Sequence, residues 1–156
     1  MASGDLDAAL GPAERILIDS STLLAYHGAA ERAHPLARHL LGRIGHDADP
    51  LRGYYSVVSA SEILVRPIRT GEPAFTTTYQ FLTGFANLTV LPVDLAVATQ
   101  AATLRAITNI RLPDALIVAS GLMAGCEAIV SNDAQWRRRF EPLFPQFQWL
   151  YLSDYL

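Results

Sequence analysis

The chain contains no lysine, and only 17% of its 156 residues are charged. A phosphoryl-accepting signalling domain also places Asp at strand ends. It needs a lysine beside that acid, so the missing lysine argues against that class. The single cysteine, Cys126, excludes an internal disulfide and a cysteine-built zinc site, and it fits a reducing cytoplasm. No run approaches the roughly 18 consecutive apolar residues of a membrane span. MASGDLDAALGPAER at the start has neither a basic opening nor an apolar stretch, so it is not expected to be a secretory signal. Residues 1–14 read as a flexible extension, and residues 15–156 as a single domain. The four histidines lack HExxH spacing, no serine sits in a G-x-S-x-G elbow, and no glycine-rich phosphate loop is present. Net charge is −3, so nucleic-acid binding, if any, requires a local basic patch or metal ions. The 51% hydrophobic content exceeds what a solvated monomer of this size needs, which points to a covered apolar face.

What is present alternates. Short apolar segments at RILI (15–18), YYSVV (54–58), TVLPV (89–93), EAIVS (127–131) and FQWLYL (147–152) read as strands. Between them lie helical stretches at 20–29, 31–45, 59–70, 72–88, 94–109, 112–125 and 134–143, with the 59–70 helix bent or ended near Pro67. This order predicts an α/β fold, a three-layer α/β/α sandwich with a mainly parallel central sheet. Open parallel sheets build their sites beyond the carboxyl ends of the strands, which directs attention to strand-to-helix junctions.

Four acids stand at or near such junctions: Asp19 after ILI, Glu62 in SASE, Asp114 in RLPDA, and Asp133 in IVSND. Each has a purely structural reading. Ser59 and Glu62 spell an S-x-x-E capping box. Pro113–Asp114 is a proline at a first helical position followed by an acid that the helix dipole favours. Asp19 and Asp133 suit N-caps. Taken together they have a second reading. If a parallel sheet gathers them at one edge, their carboxylates raise one another's pKa unless a cation compensates. Hard oxygen ligands suit Mg²⁺ or Mn²⁺, and such a site hydrolyses phosphodiesters with a metal-activated water. Ser21 and Asn132 are candidates to orient the acids, and equally serve as cap and turn residues. Arg66, Arg69, Arg111 and Arg137–Arg139 offer a local basic rim for a polyanion. Trp136 is either a base-stacking side chain or part of the core. Asp94 reads as an ordinary helix cap.

ILIDSSTLLAYH, SVVSASEILVRPIRTG and RLPDALIVASGLMAGCEAIVSND resemble the PIN-domain family, in particular the toxin ribonucleases of VapBC-type toxin–antitoxin pairs. The likeness spans about residues 15–152, and the LPDALI…SND segment is its most specific part. Position by position, it makes Asp19, Glu62, Asp114 and Asp133 both catalytic and metal-binding. It implies a Mg²⁺- or Mn²⁺-dependent endoribonuclease that leaves a 5′-phosphate and a 3′-hydroxyl. It further implies a cytoplasmic homodimer, silenced by a cognate antitoxin that threads a segment into the active-site groove. One departure stands out. The family often carries a second acid two residues after the Asp133 position, where this chain has Gln135, which puts a second metal in doubt. The rival reading is a weakly active or inactive PIN-like module that binds RNA or a protein partner.

Overall fold

Apolar residues on alternate sides of short strands require cover on both faces, and the protein supplies it. A computed structural model describes residues 2–156. Its five strands are β1 (Arg15–Ile18), β2 (Arg52–Ser56), β3 (Leu88–Leu91), β4 (Ala128–Ser131) and β5 (Gln148–Tyr151). They form one sheet in the order β3-β2-β1-β4-β5, and every pairing is parallel. The helices are α1 (Ala2–Leu10), α2 (Ser20–His27), α3 (His34–Ile44), α4 (Val57–Thr70), α5 (Ala74–Gly84), α6 (Leu95–Thr108), α7 (Leu112–Met123) and α8 (Ala134–Arg139). On one face, Ile16, Ile18, Ala128 and Val130 pack with residues of α1 to α5. On the other, Leu17 and Ile129 pack with α6, α7 and α8. This is the three-layer sandwich that the alternation predicts.

The strand order fixes where a site can form. The chain builds outward from β1 through β2 to β3, then crosses to β4 and β5 on the other side. The crevice between β1 and β4, beyond their carboxyl ends, is therefore the switch point of the sheet. Asp19 follows β1 directly, and Asn132 and Asp133 follow β4.

Three local expectations are corrected. Residues 2–10, read as part of a flexible extension, form α1, whose Leu6 and Leu10 are fully buried. One turn of helix separates these two leucines, enough to anchor an otherwise polar segment. Asp7 adds a polar tie, meeting His39 and Arg43 of α3 at 2.9 Å each. Strand β2 ends at Ser56, and Val57–Val58 belong to α4 instead. Ser56 is extended and its hydroxyl accepts the Val58 N–H, so Ser56 is the N-cap, and Ser59 and Glu62 form no capping box. Finally, the helices expected at 20–29 and 31–45 are shorter: α2 stops at His27, and α3 begins at His34 with Pro35 in its first turn. Helix α4 runs through Pro67 to Thr70.

Helix α7 opens on a carboxylate and is otherwise apolar or small. Ala115 and Ile117 through Gly121 are buried, so the helix is covered almost all round. Gly121 makes the close approach possible: a Cβ there would lie 2.7 Å from Leu17 Cδ2 on β1. The helix thus lies against the central strand, with Asp114 in its first turn.

If α1 is part of the folded unit, Leu10→Ala will lower the free energy of unfolding by about 2–4 kcal/mol in urea denaturation. A change below about 0.5 kcal/mol, the size of an ordinary surface substitution, would restore the loose-extension reading.

Candidate active site

Asp19 is the most confined of the four acids, with 2% of its surface exposed. The side chain is the N-cap of α2, accepting the Thr22 N–H at 3.0 Å through Oδ1. Two hydroxyls complete its shell. Ser21 donates to Oδ1 at 2.8 Å and lies 3.0 Å from Oδ2, and Ser131 donates to Oδ2 at 2.7 Å. Burial pushes the Asp19 carboxyl up to about 6, while the donors from Ser131, Ser21 and Thr22 pull the other way. The elevation thus comes from loss of water rather than from the carboxylate repulsion expected from the sequence.

The same hydroxyls tie Asp19 to the end of β4. Ser131 Oγ accepts the Asp133 N–H at 3.0 Å, and Ser21 Oγ accepts the Asn132 N–H at 2.7 Å. Asp133 caps α8 through the Gln135 N–H at 2.8 Å. The Asn132 side-chain oxygen is buried and has no hydrogen-bond partner. Ser131, which the sequence reading passed over, therefore joins two of the candidate acids. Its signal was a hydroxyl at the last position of a strand, directly before two candidate residues.

Asp114 is buried in the first turn of α7 and faces a cation. Arg111 Nε donates to its Oδ2 at 3.0 Å and a terminal nitrogen donates to Oδ1 at 3.3 Å. The Arg111 guanidinium is raised above its ordinary value by these bonds and by the Asp114 charge, and Asp133 and Glu62 add to the effect. Asp114, Asp133 and Glu62 thus act electrostatically on one group, and Asp19 is linked to Asp133 through Ser131. Glu62 itself is exposed on α4.

The donor set is all oxygen, which suits a hard divalent ion rather than zinc. Among the described residues, no three Asp, Glu, His or Cys side chains lie close enough together to enclose one. The positive charge nearest Asp114 is the arginine. Nucleophilic chemistry has no support. Cys126 is buried and its thiol is pushed up to about 12 by burial.

The surroundings refine the basic rim. Arg138 and Arg139 are exposed on α8, whereas Arg137 pairs with Asp154 and lies 4.2 Å over the Tyr151 ring. Trp136 is 3% exposed and packs edge-on against Phe140 and Trp149, so it belongs to the core. A groove of about 620 Å³ runs between α2 and the α4–α5 pair, lined by Leu24, His27, Ile63, Arg66 and Thr70 among others. Asp94 caps α6 through the Val97 N–H, as expected. Among the described residues, no helix is long and apolar enough to cross a membrane.

Comparison with known proteins agrees with this geometry. The PIN domain profile matches residues 16–140, which include all four acids. The toxin–antitoxin complex from Klebsiella pneumoniae superposes with a TM-score of 0.64 at 19% identity, covering 85% of this chain and 94% of the other. VapC20 of Mycobacterium tuberculosis, a toxin that cleaves the sarcin–ricin loop, gives 0.63 at 19% identity over 79% and 93% of the two chains. The DNA-bound VapBC of Salmonella typhimurium gives 0.62 at 16% identity over 89% and 98%. By sequence, no curated protein matches the chain. With the profile spanning most of its length and the fold shared with these toxins, the chain belongs to the PIN domain family.

Proposed function

We propose that this protein is a divalent-metal-dependent endoribonuclease, the toxin of a toxin–antitoxin pair, and that Asp19, Glu62, Asp114 and Asp133 form its catalytic centre. One observation carries the reading. The buried Asp19 carboxylate lies at the switch point of the sheet, and the Ser131 hydroxyl that donates to it accepts the backbone N–H of Asp133, which holds the second acid at the same edge. The structural likeness to VapC20, a toxin that cleaves the sarcin–ricin loop, supports a nuclease of this kind.

Those four acids would hold Mg²⁺ or Mn²⁺, which when bound lowers the pKa of an attacking water and offsets charge on the phosphate. The remaining work falls to the chain. Ser21, Ser131 and the Thr22 N–H fix both oxygens of Asp19, so its orientation does not drift. The unpartnered Asn132 oxygen is available to a water or ligand at the same edge. The arginines of α4 and α8 supply phosphate contacts that the net charge does not. The groove between α2 and the α4–α5 pair suits an inserted antitoxin segment. Leu95 and Ile107 of α6, 82% and 75% exposed, give a second copy an apolar surface to cover. The buried, unpaired Cys126 accords with a cytoplasmic setting.

Labelled single-stranded RNA will be cut only with Mg²⁺ or Mn²⁺, a chelator will stop the reaction, and Asp114→Asn will slow it at least about 100-fold. RNA retained equally with and without metal, and never cut, would establish the binding module instead.

Asp19 gives a prediction of opposite sign for stability. Its carboxyl titrates at about 6 in the folded chain against 3.8 in its absence. Below the lower value both states are protonated and the group is neutral in its effect. Between the two values the unfolded chain ionises while the buried carboxyl stays protonated, so stability falls by roughly 3 kcal/mol in all, and the loss is complete once pH passes the upper value. Asp19→Asn removes this penalty, since the Ser21 and Ser131 hydroxyls can turn to accept from the amide. Metal-free Asp19→Asn will therefore melt several degrees above wild type at neutral pH. The gain will vanish near pH 4, and RNA cleavage will be lost. A melting point below wild type at neutral pH would contradict the burial account.

Size-exclusion chromatography will give the volume of two chains, and Ile107→Glu will shift it towards one. Elution of the wild type as one chain would remove the dimer.

A further inference from the structure

Two opposite charges line the groove between α2 and the α4–α5 pair, and they do not meet. Arg66 of α4 and Glu31, just beyond the end of α2, both border its space of about 620 Å³. Neither forms an ion pair among the described residues. Elsewhere the chain does pair such groups: Arg43 takes Asp7 and Asp49, and Arg137 takes Asp154. Glu31 packs closely over the chain beside it. A Cβ on Gly28 would come within 2.8 Å of the Glu31 Cγ, so a glycine is needed at 28 for that side chain to lie where it does. Most of the remaining lining is apolar, with Ile63 buried and Leu24 45% exposed. His27 adds no charge at neutral pH, because burial pushes its imidazole below the ordinary value. The groove also starts where the acids end. Arg66 follows Glu62 by one turn of α4, about 6 Å along its axis. Asp19 caps the helix whose Leu24 and His27 line the other side.

We propose, resting on the ribonuclease reading above, that this groove is a nucleotide subsite next to the cleaved bond, in which Arg66 holds a phosphate and Glu31 selects guanine. The lining asks for an occupant with a negative group, hydrogen-bond donors and an apolar body. An unpaired nucleotide of single-stranded RNA has all three. A planar guanidinium suits the phosphate oxygens. A carboxylate in a groove for a polyanion repels phosphate, so its place there calls for a donor edge on the same ligand. Guanine alone among the four bases presents two adjacent donors, N1–H and the 2-amino group, which match the two oxygens of a carboxylate. Adenine, cytosine and uracil each set an acceptor beside the donor, and that lone pair would face the carboxylate. An inserted antitoxin segment would compete for the same two charged groups.

Fluorescence anisotropy of short labelled RNAs without divalent metal tests the subsite apart from cleavage. The probes are a UG repeat, a UA repeat, and a UI repeat whose inosine lacks the 2-amino group. Wild type will bind the UG repeat about tenfold more tightly than either of the others. Glu31→Gln, at an exposed position, will bring the three within about threefold of one another, because its amide puts a donor where guanine needs an acceptor. Arg66→Gln will weaken all three about fivefold and flatten the salt dependence by about one phosphate contact. Arg38→Gln removes the same charge from an exposed position of α3 outside the groove, and will leave each affinity within about twofold. A wild type without preference for the UG repeat, or a preference that Glu31→Gln retains, overturns the selection of guanine. A loss no larger for Arg66→Gln than for Arg38→Gln overturns the phosphate contact, and both results together leave the groove to a protein segment. None of these touches the nuclease, which metal-dependent cleavage judges. A wild type that binds none of the three RNAs overturns the subsite, and if it also cuts no RNA with Mn²⁺ the nuclease reading falls with it.

Discussion

The Asp19 carboxylate sits at the carboxyl end of the central strand, out of contact with water, with a backbone amide and two hydroxyls donating to it. An ionised carboxyl in such a place is expensive unless every lone pair it presents is used. The donors come from two elements that are far apart in sequence. Thr22 and Ser21 belong to α2, and Ser131 ends β4. Satisfying one carboxylate therefore sets the approach of two strand ends across the switch point. The Thr22 hydroxyl adds a bond to the Val130 carbonyl, and the Asp19 N–H bonds the same oxygen. The register of β1 on β4 and the placement of the acids are consequences of the same local network.

Much of this architecture was legible because its causes are local. Strands β1 and β4 announce themselves as apolar runs whose alternate residues enter opposite cores, and the helices between them force parallel pairing. Helix α1 was not legible, because ASGDLDAAL has an unremarkable apolar content and is held by Leu6 and Leu10 in a core built by distant segments. The β2–α4 boundary was misread for a different reason. Val57 and Val58 favour strands by propensity, but the Ser56 hydroxyl caps the first turn and Val57 is left exposed at the start of a helix. A single hydrogen bond outweighed a weak backbone preference.

The acids at the junctions were visible as residue types and spacings, and each does serve in part as its plain structural reading suggests. Asp19 and Asp133 are caps. Capping and chemistry are compatible, because a cap orients a carboxylate at the positive end of a helix dipole and leaves its other lone pairs to another partner. What the sequence could not supply was the linkage between them. Ser131 is one hydroxyl among many until the fold places it between Asp19 and Asp133. Arg111 read as one of several basic residues near the motifs, although its spacing of three from Asp114 already allowed a pair on the first turn of a helix.

The pairing of Arg111 with Asp114 shows how a buried acid at a helix start is compensated in the folded chain. Asp114 cannot be protected as Asp19 is, since no hydroxyl reaches it and its only side-chain donor is the guanidinium. Two solutions to one electrostatic problem thus occur in the same fold: neutral donors for the acid under the strand end, and an arginine for the acid at the helix start. The first is fixed by packing and changes little when a cation binds nearby. The second is held mainly by charge, with most of the arginine side chain in water.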